Sequence, residues 1–543
     1  MSIATAARER LTGVFAESVY DNPVLVMGFR TRMRRATAFV VLGGYALFLA
    51  VVMLIAYYAL WESMKYRGMG SPMSNRSIGS ALFYSITWTQ VALFTLIVPA
   101  LSGGALTMEM DRRTMEMLSL TPLSAGKIAL GKHLSAFIYC VALLLCSLPL
   151  SGMCLMFGGI SPAEIAVTYL HLITWCFLLS ALGVFWSSLF TTTAPAQLFT
   201  YGSSLVYFVG TLTMGGALIA SVLYGHSGSN IVAVSALNPG WVAYVAMMTA
   251  KVCGISVPVA LPPIILHTAI GILLLLCATT HVRFHRAQRP LSIRLLLLGI
   301  TAVLTWLIAG NMISTSIAST GRYYLEILEF WSIVILIVMC LWACIFATGP
   351  LRKDPKASIF TYILSPHKAF TNNLRGATGF MLLWLAVVYA VFGISVYWAA
   401  KAAGLSIGHL FWANYFRIGV SSLAVMMGVC ALGIFWSSIS QVRALAVLLM
   451  ALFTLLILAG YLMVLSYHFW GYQKGNSALY QLAAFWPLTP ILSATSWKQD
   501  WPKLWWSLKD SWLVTGGVYL LITVVCLGLA SVSSAKWGGI KED

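Results

Sequence analysis

The chain has 543 residues, of which 60% are hydrophobic and 9% charged, with a formal net charge of +18. Soluble globular proteins carry about 25% charged residues, so this composition excludes a soluble enzyme, a disordered chain and a disulfide-built secreted module. A hidden catalytic domain has no room either. A dozen spans of roughly 20 residues consume about 240 positions, and the longest stretches between spans, 224–258 and 469–510, are short for a domain.

Residues 1–35 carry six Arg and no apolar core of signal length, so no cleavable signal is expected. Ala6 to Tyr20 reads as an amphipathic helix on the inner leaflet, followed by a break at Asp21, Asn22 and Pro23. Apolar runs then follow at about 36–60, 80–106, 133–158, 163–187, 195–223, 260–282, 291–316, 328–348, 376–400, 410–437, 443–468 and 512–535. They predict an all-α polytopic membrane protein of about 12 transmembrane helices. With both termini cytoplasmic, 22 of the 33 Lys and Arg fall on the inner side, among them Arg30, Arg112, Arg113, Lys132, Arg283, Arg294 and Lys353. That excess follows the positive-inside rule. The charge marks topology, whereas a nucleic-acid partner would need it gathered on one folded face. All ten Cys except Cys253 lie inside apolar runs and no CxxC occurs, so they read as small buried hydrophobes.

The chain is written twice. Ala181 to Ser188 reads ALGVFWSS and Ala431 to Ser438 reads ALGIFWSS, an offset of 250 residues. Each octet ends the fourth apolar run of its half, so the unit is six spans, with the seam in the basic stretch Arg283 to Arg294. The expected halves are 1–286, an amphipathic helix plus six spans, and 287–543, six spans. Because six is even, both halves enter from the same side and form parallel repeats, with a cavity between them as the natural cargo path.

The first inner loop is the most informative segment. From Glu109 it reads EMDRRTMEMLSLTPLSAGKIALGKHL. A short helix bearing Glu109, Asp111, Arg112, Arg113 and Glu116, ended by the Thr121-Pro122 turn, is suited to dock by charge complementarity on a soluble subunit. The alternative is a solvated loop whose arginines only anchor topology. This segment resembles the signature of type-2 ABC exporter permeases: Glu109, Thr114, Glu116, Leu118, Thr121, Pro122, Leu123 and Ser124 match it, and Arg113 stands where that family usually has Gly. Asn22 to Arg35 resembles the family's connecting helix before its first span. In the second half the likeness is carried by the span pattern, the octet and a Ser365-Pro366 turn, while Lys353 and Phe360 replace the two acids.

The resemblance implies a permease subunit that exports an amphipathic, lipid-linked or other bulky cargo. Its drive would be separate cytoplasmic ABC ATPase subunits, two copies per fused chain. It implies coupling through the loops at 109–132 and 350–375, location in the inner membrane among its lipids, and ATP and Mg held by the partner, with no cofactor on this chain.

Other features carry less. Gly126, Gly131 and Lys132 have GxxxxGK spacing, but His133 takes the Ser or Thr position and no strand frames it. His281 and His285 stand four apart without a nearby carboxylate or Cys, so their basic neighbours favour a headgroup-facing helix end over a metal. Asn75-Arg76-Ser77 is only formally a glycosylation acceptor. Trp486, Trp497, Trp501, Trp505, Trp506 and Trp512, interleaved with lysines, mark an outer aromatic belt or a re-entrant pair. Asn238, Pro239 and Trp241 form its poorer first-half counterpart. Interior polar groups are mainly His171, His267, His468, Gln90, Gln197 and Asn311, and the buried charges that an ion-coupled carrier keeps for function are nearly absent, with Glu164, Glu326, Glu329 and Arg417 near outer span ends.

A twelve-span carrier of the major facilitator type is the alternative. Its inner-loop pattern, Gly with Asp-Arg four residues later, is not met, since Gly104 lies seven residues before Asp111. A membrane transferase would need acidic or His catalytic groups in its outer loops, where this chain offers a poor set. Accordingly, no enzymatic activity is expected of the chain itself.

Overall fold

The computed structural model describes residues 22–34, 36–66, 75–223, 236–253, 255–282, 290–316, 374–402, 424, 427–429, 431–433, 435–436 and 517–529. Outside them lie the expected leaflet helix Ala6 to Tyr20, the runs at 328–348 and 443–468, and most of the run at 410–437. Also outside are Lys353, Phe360, Ser365 and Pro366, His285, and the tryptophan cluster 486–512.

Helix α1, Pro23–Met33, begins where a break is expected. The Asn22 carboxamide oxygen accepts from the backbone N–H of Val24 and Leu25, and Pro23 occupies the first helical position, where its missing N–H costs nothing. Asn22 therefore starts a helix. The same side chain donates 2.7 Å to the Lys127 carbonyl, which docks the start of α1 on a later span. Gly131 permits this approach, since a Cβ there would lie 2.9 Å from both Asn22 Oδ1 and Val24 Cβ.

Long helices follow: α2 (Ala36–Tyr66), α3 (Asn75–Ser102), then the short α4 (Thr107–Asp111) and α5 (Met115–Ser119), and again long α6 (Ala125–Phe157), α7 (Pro162–Leu189) and α8 (Thr193–Leu223). Two of these starts have a clear local cause. Ser124 caps α6 by accepting from the Lys127 N–H, and Ser161 with Glu164 forms a capping box at α7. A short α9 (Pro239–Val245), a two-stranded sheet of β1 (Thr249–Val252) and β2 (Ile255–Pro258), and α10 (Leu261–Val282) complete this part. The sheet is a small exception to the all-α expectation.

The chain divides into two compact units, Met1–Ala250 with Ser256–Ala287, and Lys251–Ile255 with Gln288–Asp543. In the first, Leu82, Phe83, Ile86, Phe94, Leu143, Leu172 and Trp175 make the apolar core shared by α3, α6 and α7. Along α2, Ala38, Tyr45, Leu49 and Met53 turn inward while Phe39, Val40, Leu47, Leu54 and Ile55 are exposed, the two-faced pattern of a helix at the rim of a bundle. In the second unit α11 (Pro290–Ser316) packs on α12 (Leu374–Ala402), where Trp384 Nε1 donates 2.8 Å to Thr301 Oγ1.

Among the described residues five helical stretches are long and apolar enough to cross a membrane: Ala38–Glu62, Ile78–Asp111, Ala125–Phe157, Pro162–Leu189 and Leu261–Thr279. The chain is a helical multi-pass membrane protein.

A buried polar network crosses this apolar interior. Gln90 Nε2 donates 2.6 Å to Ser147 Oγ, and the Tyr169 hydroxyl lies 2.9 Å from Ser147 Oγ and 2.8 Å from Ser151 Oγ. Three spans thereby meet at the Ser147 hydroxyl, and the Tyr169 phenol also accepts from Gln90 Nε2 at 3.4 Å. Interhelical hydrogen bonds of this kind in membranes contribute about 0.6 kcal/mol on average and up to about 1.7. Tyr169→Phe should accordingly lower the thermal unfolding midpoint in detergent by a few degrees, with the helical signal unchanged; an unaltered midpoint would mean that the network does not stabilise the bundle.

Candidate functional site

The segment between α3 and α6 is two short helices rather than the single one expected, and α6 starts eight residues before the apolar run at 133. The chain leaves α3 at Ser102, turns through Gly103–Leu106, forms α4, reverses at Arg112–Thr114, forms α5, and re-enters α6 at Ser124. Arg113 adopts φ 56°, in the left-handed region that costs a non-glycine residue roughly 1–2 kcal/mol. The backbone is thus that of a glycine position, occupied here by an exposed arginine. The turn closes through Thr114, whose N–H donates 2.9 Å to the Glu109 carbonyl and whose hydroxyl bonds the Glu109 carboxylate.

Three later helices brace this loop. Glu109 Oε1 pairs with Lys132 Nζ of α6 at 2.5 Å. Ser187 Oγ of α7 accepts from the backbone N–H of Leu106 at 2.7 Å and of Thr107 at 3.0 Å. Thr193 at the start of α8 donates its hydroxyl to Asp111 Oδ2. From the other side, Arg32 of α1 donates 3.0 Å to the Leu101 carbonyl at the end of α3, where a cation suits the negative end of the helix. Burial lowers the Arg32 pKa from its ordinary value, yet guanidinium stays protonated at any physiological pH.

The two acids at Glu109 and Asp111 are therefore engaged inside the chain. Facing outward are Arg112, Arg113, Thr121 and Pro122, together with Met117 and Leu120, which are 73% and 87% exposed. Leu123 is half-buried, and the Thr121 hydroxyl donates 2.6 Å to the Leu118 carbonyl, closing the end of α5. Glu116 lies on α5, with its side chain outside the described residues. Sequence reasoning missed Lys132, Ser187 and Thr193 as loop partners. For Ser187 a signal existed, because it belongs to the repeated octet.

Gly126, Gly131 and Lys132 lie within the continuous helix α6. Gly131 makes room for α1, and Lys132 serves the ion pair with Glu109. Deeper in the bundle, the His171 and His267 rings stand 5.0 Å apart, His267 Nε2 lies 3.0 Å from the Tyr207 hydroxyl, and Trp175 stacks on Tyr207. No group of three or more metal-ligating side chains assembles among the described residues. On α9, Asn238 caps the helix and Trp241 meets Trp88 of α3 edge-on at 5.0 Å, while Tyr244 stacks on Tyr84 at 3.9 Å. The aromatic element read from Asn238, Pro239 and Trp241 is thus a packed short helix.

No family model matches the chain, and no curated protein or solved structure matches it.

Two consequences are measurable in the loop. Arg113→Gly should relieve the left-handed strain and slow amide exchange across residues 103–124, whereas Arg113→Val should speed it, the two differing by about tenfold. Equal exchange in both variants would contradict the backbone argument. The Glu109–Lys132 pair is part-exposed, so a double-mutant cycle should give only about 0.2–1 kcal/mol of coupling.

Proposed function

We propose that this chain is the membrane-spanning permease subunit of an ATP-driven exporter of the type-2 ABC kind. It works with separate cytoplasmic ABC ATPase subunits, two copies per chain, which hold the ATP and Mg. Two fused six-span halves surround the cargo path, the protein sits in the inner membrane with both termini cytoplasmic, and the cargo is amphipathic or lipid-linked.

The observation that carries this reading is the two-sided build of the loop between α3 and α6. Its inner side is tied by Glu109, Asp111 and the Leu106–Thr107 backbone to α6, α8 and α7. Its outer side presents two cations, Arg112 and Arg113, beside the exposed apolar Met117 and Leu120. A solvated connector needs neither the ties nor the apolar tips. Apolar anchors ringed by charge are what a docking surface uses: the anchors contribute affinity and the charges choose the partner. A loop joined to several spans also turns a local push into a movement of the bundle, because packed helices shift as bodies. Closure of the ATPase pair on its nucleotides supplies that push, and the spans respond by widening or narrowing the path between halves.

The docking claim is tested on the tagged chain in mild detergent. Combined Arg112→Glu and Leu120→Asp should lower the amount of co-purifying ATPase by at least about tenfold, roughly 1.4 kcal/mol, while membrane insertion and yield stay at the wild-type level. Undiminished recovery of the ATPase would remove this surface from the contact.

A further inference from the structure

We infer that Ser187 is the positioning residue through which movement of the loop between α3 and α6 reaches the end of α7. This deepens the permease reading above and rests on it. The Ser187 hydroxyl receives both Leu106 and Thr107 N–H, the first free backbone donors of α4. Leu106, Thr107 and Ser187 all have no exposed surface, so water cannot take over either bond. Leaving a buried backbone donor unpaired costs roughly 1–3 kcal/mol, which makes separation of α4 from α7 unfavourable.

The surroundings reinforce the contact. One turn earlier on α7, Gly183 faces the end of α3; a Cβ there would collide with the Ser102 side chain and lie 2.9 Å from Gly103 N. The neighbouring Trp186 donates its indole N–H 2.9 Å to Ser203 of α8. Gly183, Trp186 and Ser187 thus tie, from one helical segment, the approach to the loop, the next helix and the loop itself. All three belong to ALGVFWSS. The octet's recurrence as ALGIFWSS keeps each of them, as Gly433, Trp436 and Ser437, and changes only Val184 to its Ile434 counterpart. A segment chosen merely for burial has no reason to keep a glycine, an indole and a hydroxyl in fixed register. A segment that receives a loop does.

The test uses the full chain with its co-purified ATPase in nanodiscs, read by amide hydrogen exchange with and without ATP plus vanadate. In the resting wild type, Leu106 and Thr107 should be protected. Ser187→Ala should speed their exchange by about tenfold, and Ser187→Thr, which keeps the acceptor, should restore it. On trapping with vanadate, the wild type should respond both in the loop, 107–119, and at the inner end of α7, 183–190. In Ser187→Ala the loop response should persist and the α7 response should be lost, with Ser187→Thr regaining it, a rescue that a purely structural serine would not give. Rapid exchange of both amides in the wild type overturns the inference without any variant, even where the alanine protein fails to insert. An α7 response retained in Ser187→Ala overturns it as well. Protected amides in a wild type whose loop ignores ATP and vanadate would instead sink the permease reading and the coupling role with it, leaving the hydrogen bonds themselves intact.

Discussion

A serine hydroxyl that closes two buried backbone N–H groups is the contact on which the architecture around the loop turns. Away from water every backbone polar group has to be satisfied within the protein, since an unpaired buried donor costs roughly 1–3 kcal/mol. A continuous helix meets that demand by itself. A chain that stops one helix and starts another within the packed bundle does not, and the break after Ser102 leaves the buried Leu106 and Thr107 in that position. Ser187 resolves it from a different span. The same bonds that make the break affordable in free energy therefore also fasten the loop to the bundle.

The remaining ties are individually weak and gain from being distributed. A part-exposed ion pair such as Glu109–Lys132 contributes little by itself, and Asp111–Thr193 is exposed. Their geometry matters more than their strength. They point to α6 and α8 while Ser187 points to α7, so the loop is restrained in three directions and its outward face has a defined orientation. Arg113 fits this picture, because a left-handed arginine stays in place only where surrounding bonds over-determine the turn. The Thr114 bonds to both the carbonyl and the carboxylate of Glu109 supply that restraint.

Spans were legible in the sequence because a stretch of about 20 apolar residues admits little but a helix across a bilayer, and the helices found at 36–66, 75–102 and 162–189 follow those runs. Boundaries were less so. The expected start of α6 at 133 fails because residues 125–132 include Lys127 and Lys132 and so do not read as apolar, although Ser124 supplies a cap that nucleates the helix earlier. The split of the loop into α4 and α5 was hidden in Arg113, whose left-handed backbone no residue preference announces. The sheet at 249–258 carried no alternation strong enough to notice. Of the candidate site, the outward residues Arg112, Arg113, Thr121 and Pro122 were readable from charge and turn chemistry. Their anchors were not, since Lys132, Ser187 and Thr193 stand 23, 80 and 82 residues from their partners. Only the tertiary fold joins them. The repeated octet flagged Ser187 without revealing what it binds, and its counterpart Ser437 lies outside the described residues.

The most direct test of a permease driven from outside itself is the composition of the native particle. Quantitative mass spectrometry on the tagged chain, purified in mild detergent and assayed for ATP hydrolysis, should find a soluble subunit with a complete GxxxxGK[ST] loop at two copies per chain, hydrolysing ATP. A chain that purifies alone, stable and silent towards ATP, yet moves cargo on a proton or sodium gradient, would contradict the account.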